Sequence, residues 1–154
     1  MPKSAKIKGQ FKITGNVLIE VHRDGKLLQA TRHKNLVVAT GRDLVRNLLS
    51  GKPNYWPNYI ALGTNSTAVL DGDTALNTEA YRDVITARRE YTSKIQFQLF
   101  IGQAFGNGNT YTEAGIFNDR SAVDTMLARV VFAGIAKTAA DTITLSWDIT
   151  ISSS

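Results

Sequence analysis

Three charged residues in the middle of the chain, Glu79, Arg82 and Glu113, are those best suited to chemistry. Two carboxylates flanking a glycosidic bond supply the acid and the base of many glycosidases, so Glu79 and Glu113 are candidates for a hydrolase. Glu113, however, lies in the largely apolar segment 111–117, where an unpaired charge is costly to bury. No aromatic-lined sugar cleft is visible in the sequence. We therefore favour a structural ion pair between Glu113 and Arg82, with Glu79 beside them.

Two further sets of residues could hold a metal ion. Asp71 and Asp73 alternate in a short acidic stretch with Glu79 nearby, which weakly resembles a calcium loop; an acidic turn is the simpler interpretation. His22 and His33 could approach each other across a hairpin, but no third ligand accompanies them. The sequence therefore predicts no metal and no cofactor.

Composition excludes several classes of site. The 154 residues contain no cysteine, which excludes disulfides, thiolate metal sites and cysteine nucleophiles. The sequence also lacks the GxSxG, GxxxxGK[ST] and GxGxxG patterns of hydrolases and nucleotide-binding proteins. No apolar run reaches the roughly 20 residues that span a bilayer. We expect a non-enzymatic protein that is made in the cytoplasm and does not enter a membrane.

Charge is distributed unevenly along the chain. Residues 1–52 contain eleven Lys and Arg against three Asp and Glu, whereas residues 53–154 contain seven against ten. The polar segment 1–10, with Lys3, Lys6 and Lys8, is predicted to be a basic arm that contacts an acidic neighbouring subunit. The simpler alternative is a flexible start whose lysines are only solvated. Nucleic acid is the weaker alternative, because no aromatic residues that could stack on bases are interleaved with the basic ones.

The elements that must position these residues are mostly strands. Alternating apolar and polar residues predict strands at 17–21, 94–101 and 143–152, and Asp24-Gly25 between two such runs indicates a hairpin that returns over 26–33, with 35–38 ending that strand or adding another. Further strands are predicted at 59–63, 82–92, 110–117 and 126–132. We therefore predict one mainly β domain over 11–154, an antiparallel β-sandwich or barrel-like fold with seven or eight strands.

One segment has helical periodicity instead. Apolar residues at 44, 45, 48 and 49 lie on one face of a helix over about residues 41–50, which we expect to cover the sheet. Thr40 is predicted to cap its N-terminus and Gly51 to end it. The loop 52–58 carries Tyr55 and Trp56, and a long polar loop follows at 64–78. A loop of that length is usually functional or packed against a partner.

The order of several short motifs resembles that of a known group of proteins. The motifs are Asn35-Leu36-Val37-Val38, Gly41-Arg42-Asp43-Leu44-Val45, Tyr59-Ile60-Ala61-Leu62-Gly63-Thr64, Thr74-Ala75-Leu76, Glu79, Tyr81-Arg82, Glu113-Ala114-Gly115-Ile116-Phe117, Met126-Leu127-Ala128-Arg129 and Ile135-Ala136-Lys137-Thr138. Over about residues 35–151 this order is similar to that of small structural proteins of tailed bacteriophages and prophages. It is distantly similar to the tail-collar fibre domain. The chain departs from the fibre pattern because no repetitive shaft or receptor-binding tip follows.

The resemblance implies a virion protein without catalytic residues, either a capsid decoration subunit or a neck, tail or collar adaptor. Its expected partners are other capsid or tail subunits and further copies of itself, with a trimer as the expected oligomer. Residues 1–12 and the loops 52–58 and 64–78 are the expected contacts, with Tyr55 and Trp56 as aromatic anchors. The alternative for loop 52–58 is that it folds over the chain's own core. The alternative is a receptor- or carbohydrate-binding module of a tail fibre or baseplate that uses Tyr55, Trp56 and Tyr59.

Overall fold

The computed structural model describes residues 9–119 and 124–153, so Lys3, Lys6 and Lys8 of the predicted arm lie outside the described residues. No helix in these two ranges is long and apolar enough to cross a membrane. Together the ranges contain nine strands and one helix: β1 (Phe11–Arg23), β2 (Lys26–Val37), α1 (Ala39–Leu49), β3 (Tyr59–Gly63), β4 (Glu79–Val84), β5 (Ala87–Glu90), β6 (Lys94–Ile101), β7 (Asn109–Phe117), β8 (Met126–Lys137) and β9 (Asp141–Ser153).

The strands form one antiparallel sheet in the order β4-β3-β7-β8-β2-β1-β9-β6-β5, which curls into a half-barrel. Strand β2 joins its two halves: up to Asn35 it pairs with β1, whereas Leu36 and Val37 pair with β8. The first half contains β1, β2, β5, β6 and β9, and the second half contains β3, β4, β7 and β8. The predicted mainly β, antiparallel, barrel-like domain with one helix is confirmed.

The core lies between the two halves. Val17, Ile19 and Val21 alternate inward along β1, directly beside the inward residues of β9. The fully buried Trp147 is at the centre, and its indole N–H donates a hydrogen bond of 2.9 Å to Oδ1 of Asn35. The hairpin between β1 and β2 turns at Asp24 and Gly25 with φ of 50° and 73°, as the Asp-Gly signal predicts.

Helix α1 packs on β8 with Leu44 fully buried, which is the predicted covering role. The prediction that Thr40 caps the helix is wrong. The helix already begins at Ala39, so the Thr40 hydroxyl lies inside its first turn and donates 2.9 Å to the Met126 carbonyl. Gly51, at φ 73°, ends the helix as predicted.

The nine strands exceed the seven or eight predicted, and several of the predicted bounds differ from those observed. The segment 82–92 is not one strand, because Ile85 and Thr86 carry the chain from β4, at one edge of the sheet, to β5 at the other. The backbone N–H of Ile85 bonds to Asn58 and that of Thr86 to Gln98, so adjacent residues belong to different halves. Strand β8 extends five residues past the predicted end at 132, to Lys137.

The turn between β8 and β9 contains a buried carboxylate. Asp141 accepts hydrogen bonds from Nε of Arg23 at 2.8 Å, and from the backbone N–H and hydroxyl of Thr138 at 3.0 and 2.6 Å. These hydrogen bonds hold the pKa of Asp141 far below its usual range. The bond from the Arg23 guanidinium has the largest effect, and the bond from Thr138 the next largest. Because the folded-state pKa is lowered, the ionised carboxylate stabilises the fold above the unfolded-state pKa of about 3.9.

We expect this contribution to disappear in acid. The stability difference between the wild type and Asp141→Asn should be constant near neutral pH and shrink steadily below about pH 4. Urea unfolding of both proteins at several pH values between about 7 and 2 measures it. A difference that stays constant over the whole range would contradict the role assigned to this carboxylate.

Candidate functional site

A fully buried ion pair lies on the outward face of the second half of the sheet. Glu113 of β7 and Arg129 of β8 are both completely buried, and the guanidinium donates to Oε2 of Glu113 through Nε at 3.0 Å and Nη2 at 2.7 Å. The Glu113 carboxylate also accepts the backbone N–H groups of Asn77 and Thr78 at 3.2 and 2.8 Å. Both of its oxygens are therefore engaged by the protein.

Loop 64–78 covers this ion pair. Arg129 donates to the carbonyl of Thr67 at 3.1 Å and to Oδ2 of Asp73 at 2.9 Å, so three parts of the loop are held by Glu113 and Arg129. Leu76 adds an apolar contact in a small cluster with Phe117. The loop thus forms a third layer over the second half of the sheet, which we call the loop layer.

Small residues beneath the loop layer make room for it. A Cβ on Gly63 would lie 2.4 Å from Oε1 of Glu113 and 2.5 Å from the Thr78 carbonyl. A Cβ on Gly115 would lie 3.1 Å from the Leu76 side chain. The strands under the loop layer therefore carry glycine where the loop backbone and side chains approach most closely.

The predicted Glu113–Arg82 ion pair is wrong, because Glu113 is paired with Arg129 and Arg82 has other partners. Arg82 binds Glu79 through two hydrogen bonds of 2.8 Å and contacts Asp124 and the Asp119 carbonyl at 2.6 Å. Its guanidinium also lies 3.9 Å from the centre of the Phe117 ring. A pair between Glu79 and Arg82 is present as expected, but it is separate from the buried one.

Burial acts on both partners of the ion pair between Arg82 and Asp124. Burial disfavours the charge on Arg82, yet the hydrogen bonds that its guanidinium donates to Glu79 and Asp124 outweigh this effect and raise the pKa of Arg82. Burial also raises the pKa of Asp124, against the opposing effect of Arg82. The guanidinium thus stays charged and fixes both carboxylates in place, which is a structural arrangement.

The acidic residues of loop 64–78 bind basic side chains. Asp71 forms a two-bond ion pair with Arg42 of α1, at 2.7 and 2.9 Å, and Asp73 binds Arg129. The first backbone N–H of the helix, on Ala39, also donates to the Asp71 carbonyl at 2.8 Å. Among the described residues, no group of three or more His, Asp or Glu is placed to hold a metal ion.

The two histidines do not face each other. The register of the hairpin places His22 opposite Leu27 and His33 opposite Val17, so five residues of β2 separate His33 from the partner of His22. His33 instead contacts the ring of Phe132, with ring centres 5.7 Å apart. The prediction that they could meet across the hairpin is therefore wrong.

The aromatic loop 52–58 splits its two candidate anchors. Tyr55 packs against the main core, whereas Trp56 is 51% exposed. Arg88 fixes the end of this loop through the Pro57 carbonyl at 2.9 Å and Oδ1 of Asn58 at 2.8 Å. A hollow of about 150 Å³ lies beside Trp56, lined otherwise by polar residues: Asn54, Asn58, Tyr59, Asn118 and Asp119.

Sequence reasoning missed Arg129, which is the central residue of the buried site. It belongs to the motif 126–129, where it is the one charged residue among apolar neighbours. A single charged residue within an apolar strand indicates a buried arginine.

No known protein family matches the chain, and no curated protein or solved structure shows significant similarity to it.

Proposed function

We propose that the chain is a non-enzymatic structural component of a tailed-phage virion. In this proposal it is a small self-associating accessory subunit, a capsid decoration or a neck, tail or collar adaptor. It acts through protein–protein interfaces with capsid or tail subunits. It is synthesised in the cytoplasm of the bacterial host and is located in the assembled virion.

The observation that carries the proposal is the buried ion pair between Glu113 and Arg129. An acid or base for hydrolysis must reach its substrate, whereas Glu113 is fully buried and bonded to Arg129 and to two backbone N–H groups. The pair instead ties loop 64–78 to the sheet through hydrogen bonds, so that the loop forms the outer surface of this half. A pre-organised surface lowers the entropy lost on binding, which suits a subunit that must fit a fixed position in an assembly.

The charge distribution and the motif order point in the same direction. The basic segment that contains Lys3, Lys6 and Lys8 precedes β1, and ten of the thirteen Asp and Glu residues lie after residue 52. Contacts between the front of one subunit and the back of the next would therefore be attractive. The order of short motifs over residues 35–151, which resembles that of tailed-phage structural proteins, is the reason for proposing this kind of assembly.

The test is incorporation into particles. The full chain and a variant that lacks residues 1–9 are tagged and produced during particle assembly in the host, and their copy number per purified particle is measured. We expect the full chain to be retained at a fixed copy number and the truncated one to be depleted while remaining folded. Absence of the full chain from purified particles would overturn the proposal, and equal retention of both would overturn the role of the arm.

A carbohydrate- or receptor-binding module is the second candidate, favoured by Trp56 beside its polar hollow. Half-exposed aromatic rings next to amide groups are suited to stacking on sugar rings. Asn118, however, already uses its side chain to bind the Asn54 carbonyl and the Thr125 N–H. A glycan array tests this candidate: binding that Trp56→Ala abolishes and Phe105→Ala preserves would establish it, and no binding by the wild type would reject it.

A further inference from the structure

A lysine at the end of β8 is buried in contact with a side-chain amide. Lys137 is only 1% exposed. Its Nζ donates hydrogen bonds to the backbone carbonyls of Asp141 at 2.9 Å and Thr138 at 3.4 Å. A third hydrogen bond, of 2.8 Å, goes to Oδ1 of Asn107, which lies in the turn 102–108 between β6 and β7. A nucleophilic group and an amide that it can attack are therefore held together.

The surroundings of Nζ favour the neutral amine more than water does. Burial lowers the pKa of Lys137, and the negative charge of Asp141 opposes this effect only in part. The Asp141 carboxylate is itself bonded to Arg23 and Thr138, whereas Nζ bonds to the backbone carbonyl of Asp141. The neutral amine of a desolvated lysine is a nucleophile, and the ammonium form is not.

The turn 102–108 fixes the Asn107 amide beside the amine. Nδ2 of Asn107 donates to the Gln103 carbonyl at 2.7 Å, so the oxygen and the nitrogen of the amide are both engaged. The preceding residue is also held, because the hydroxyl of the fully buried Tyr111 donates 2.7 Å to the Gly106 carbonyl. Groups that a fold holds in contact react as if they were present at very high concentration.

Loss of one proton from Nζ directs its lone pair toward Asn107. An ammonium group has three N–H bonds, and the carbonyls of Asp141 and Thr138 accept two of them. These carbonyls still require hydrogen atoms when the amine is neutral. The lone pair then takes the place of the third N–H, which pointed to the Asn107 amide. Asn107 is exposed, so water reaches this contact and accepts the proton.

We infer that Lys137 and Asn107 form an intramolecular isopeptide bond. The neutral Nζ attacks Cγ of Asn107, so that a bond between Nζ and Cγ forms and the bond between Cγ and Nδ2 breaks. One proton passes from Nζ to Nδ2 through water, and Nδ2 leaves as ammonia. The reaction is not a redox step and consumes no further reactant. The inference is independent of the proposed function.

The bond would give the fold a covalent link that its composition otherwise denies it. The chain contains no cysteine, and the isopeptide bond would join the turn 102–108 to the end of β8. It closes a loop from residue 107 to residue 137, which restricts the unfolded chain in the way that a disulfide does.

The backbone nitrogen of Gly108 is the competing nucleophile, because an Asn-Gly sequence is able to cyclise through the nitrogen of its glycine. That reaction also releases ammonia, but it gives a cyclic imide and then an aspartate, and it needs no lysine. The Gly108 N–H donates 2.9 Å to the Lys137 carbonyl, which holds this nitrogen in a strand hydrogen bond. The structure therefore favours attack by the lysine.

The test is the intact mass of the full chain after incubation at mildly alkaline pH, where more of the amine is neutral. Lys137→Arg and Asn107→Ala are the variants. Asn109→Ala is the control, since Asn109 stands opposite Lys137 in the strand register but its amide bonds to the Asn107 carbonyl. We expect the wild type and Asn109→Ala to be lighter than their sequences by one ammonia, and both variants to keep their full mass. Tryptic digestion of the wild type should yield a branched peptide that joins residues 107 and 137.

Two results would overturn the inference. One is a wild type that keeps its full mass throughout. The other is a loss of ammonia that persists in Lys137→Arg, or conversion of the amide to a carboxylate, because both assign the reaction to Gly108. Circular dichroism checks that the variants fold. If Lys137→Arg does not fold, Asn107→Ala, which alters an exposed residue, and the branched peptide still decide the matter.

Discussion

Arg129→Met should lower the free energy of unfolding by about 3–5 kcal/mol, because it leaves Glu113 buried without its cationic partner. Methionine fills much of the space of arginine, so the loss reports the missing charge more than a cavity. The variant also removes the donors to Asp73 and to the Thr67 carbonyl, which detaches the loop layer from β8. Urea unfolding at neutral pH measures the loss.

Arg42→Met is the matched control. Arg42 also forms a two-bond ion pair with a carboxylate of loop 64–78, but its side chain is 53% exposed and that of Asp71 58%. Water screens such a pair, so the loss should be several-fold smaller than that in Arg129→Met. Equal losses in the two variants would contradict the importance of burial for the Glu113–Arg129 pair.

A local measurement separates the loop layer from the sheet. In Arg129→Met, the amides of residues 77 and 78 should exchange with solvent faster, since the carboxylate that accepts their hydrogen bonds loses its fixed position. The amides of β1 and β9, on the other side of the core, report global unfolding only. Faster exchange restricted to the loop would show that Arg129 holds this layer in particular.

The strands with one buried face could be predicted from the sequence because alternation is a local property. Along β9, Ile143, Leu145 and Trp147 point into the core and the residues between them point outward, as the period of two requires. The helix was predictable for the same reason. The N-terminus of the helix could not be predicted. The Thr40 hydroxyl bonds to the Met126 carbonyl of the neighbouring strand, and the Asp71 carbonyl accepts the first N–H of the helix.

The partner of Glu113 could not be predicted because it depends on strand order. The sequence requires some cation for a buried carboxylate, and both Arg82 and Arg129 lie in strands. Strand β8 pairs directly with β7, and Arg129 stands opposite Gly115, two residues from Glu113. Arg82 belongs to β4, which β3 separates from β7. Only the order of the strands decides between the two arginines, and no local pattern encodes it.

The loop layer had a signal that was harder to interpret. A polar stretch of this length predicts a functional or partner-bound loop, and in the structure its first partner is the chain's own sheet. The signal lay in the strands beneath the loop, whose outward face carries the small residues Ala61, Gly63 and Gly115. An outward face that contacts only water has no need of such small residues. Small residues on an outward face indicate a covering segment, but not which segment.

Helix α1 makes its closest contact with the sheet at Gly41. In Gly41 an added Cβ would lie 1.9 Å from the carbonyl oxygen of Leu127, so the helix and the backbone of β8 touch at this point. Because that neighbour is backbone, it cannot rotate away as a long side chain could. The helix must shift outward to admit a methyl group, and the fully buried Leu44 on the same helix would shift with it.

Gly41→Ala should therefore destabilise the fold by at least about 3 kcal/mol, at the upper end of the usual cost of overpacking. The direction is informative, because helix propensity alone favours alanine over glycine by about 1 kcal/mol. Gly72→Ala is the control, since a Cβ there meets nothing within 4 Å. Urea unfolding of both variants decides the matter: stabilisation by Gly41→Ala would mean that propensity outweighs the contact, and that the helix is seated less tightly on β8 than the position of Leu127 requires.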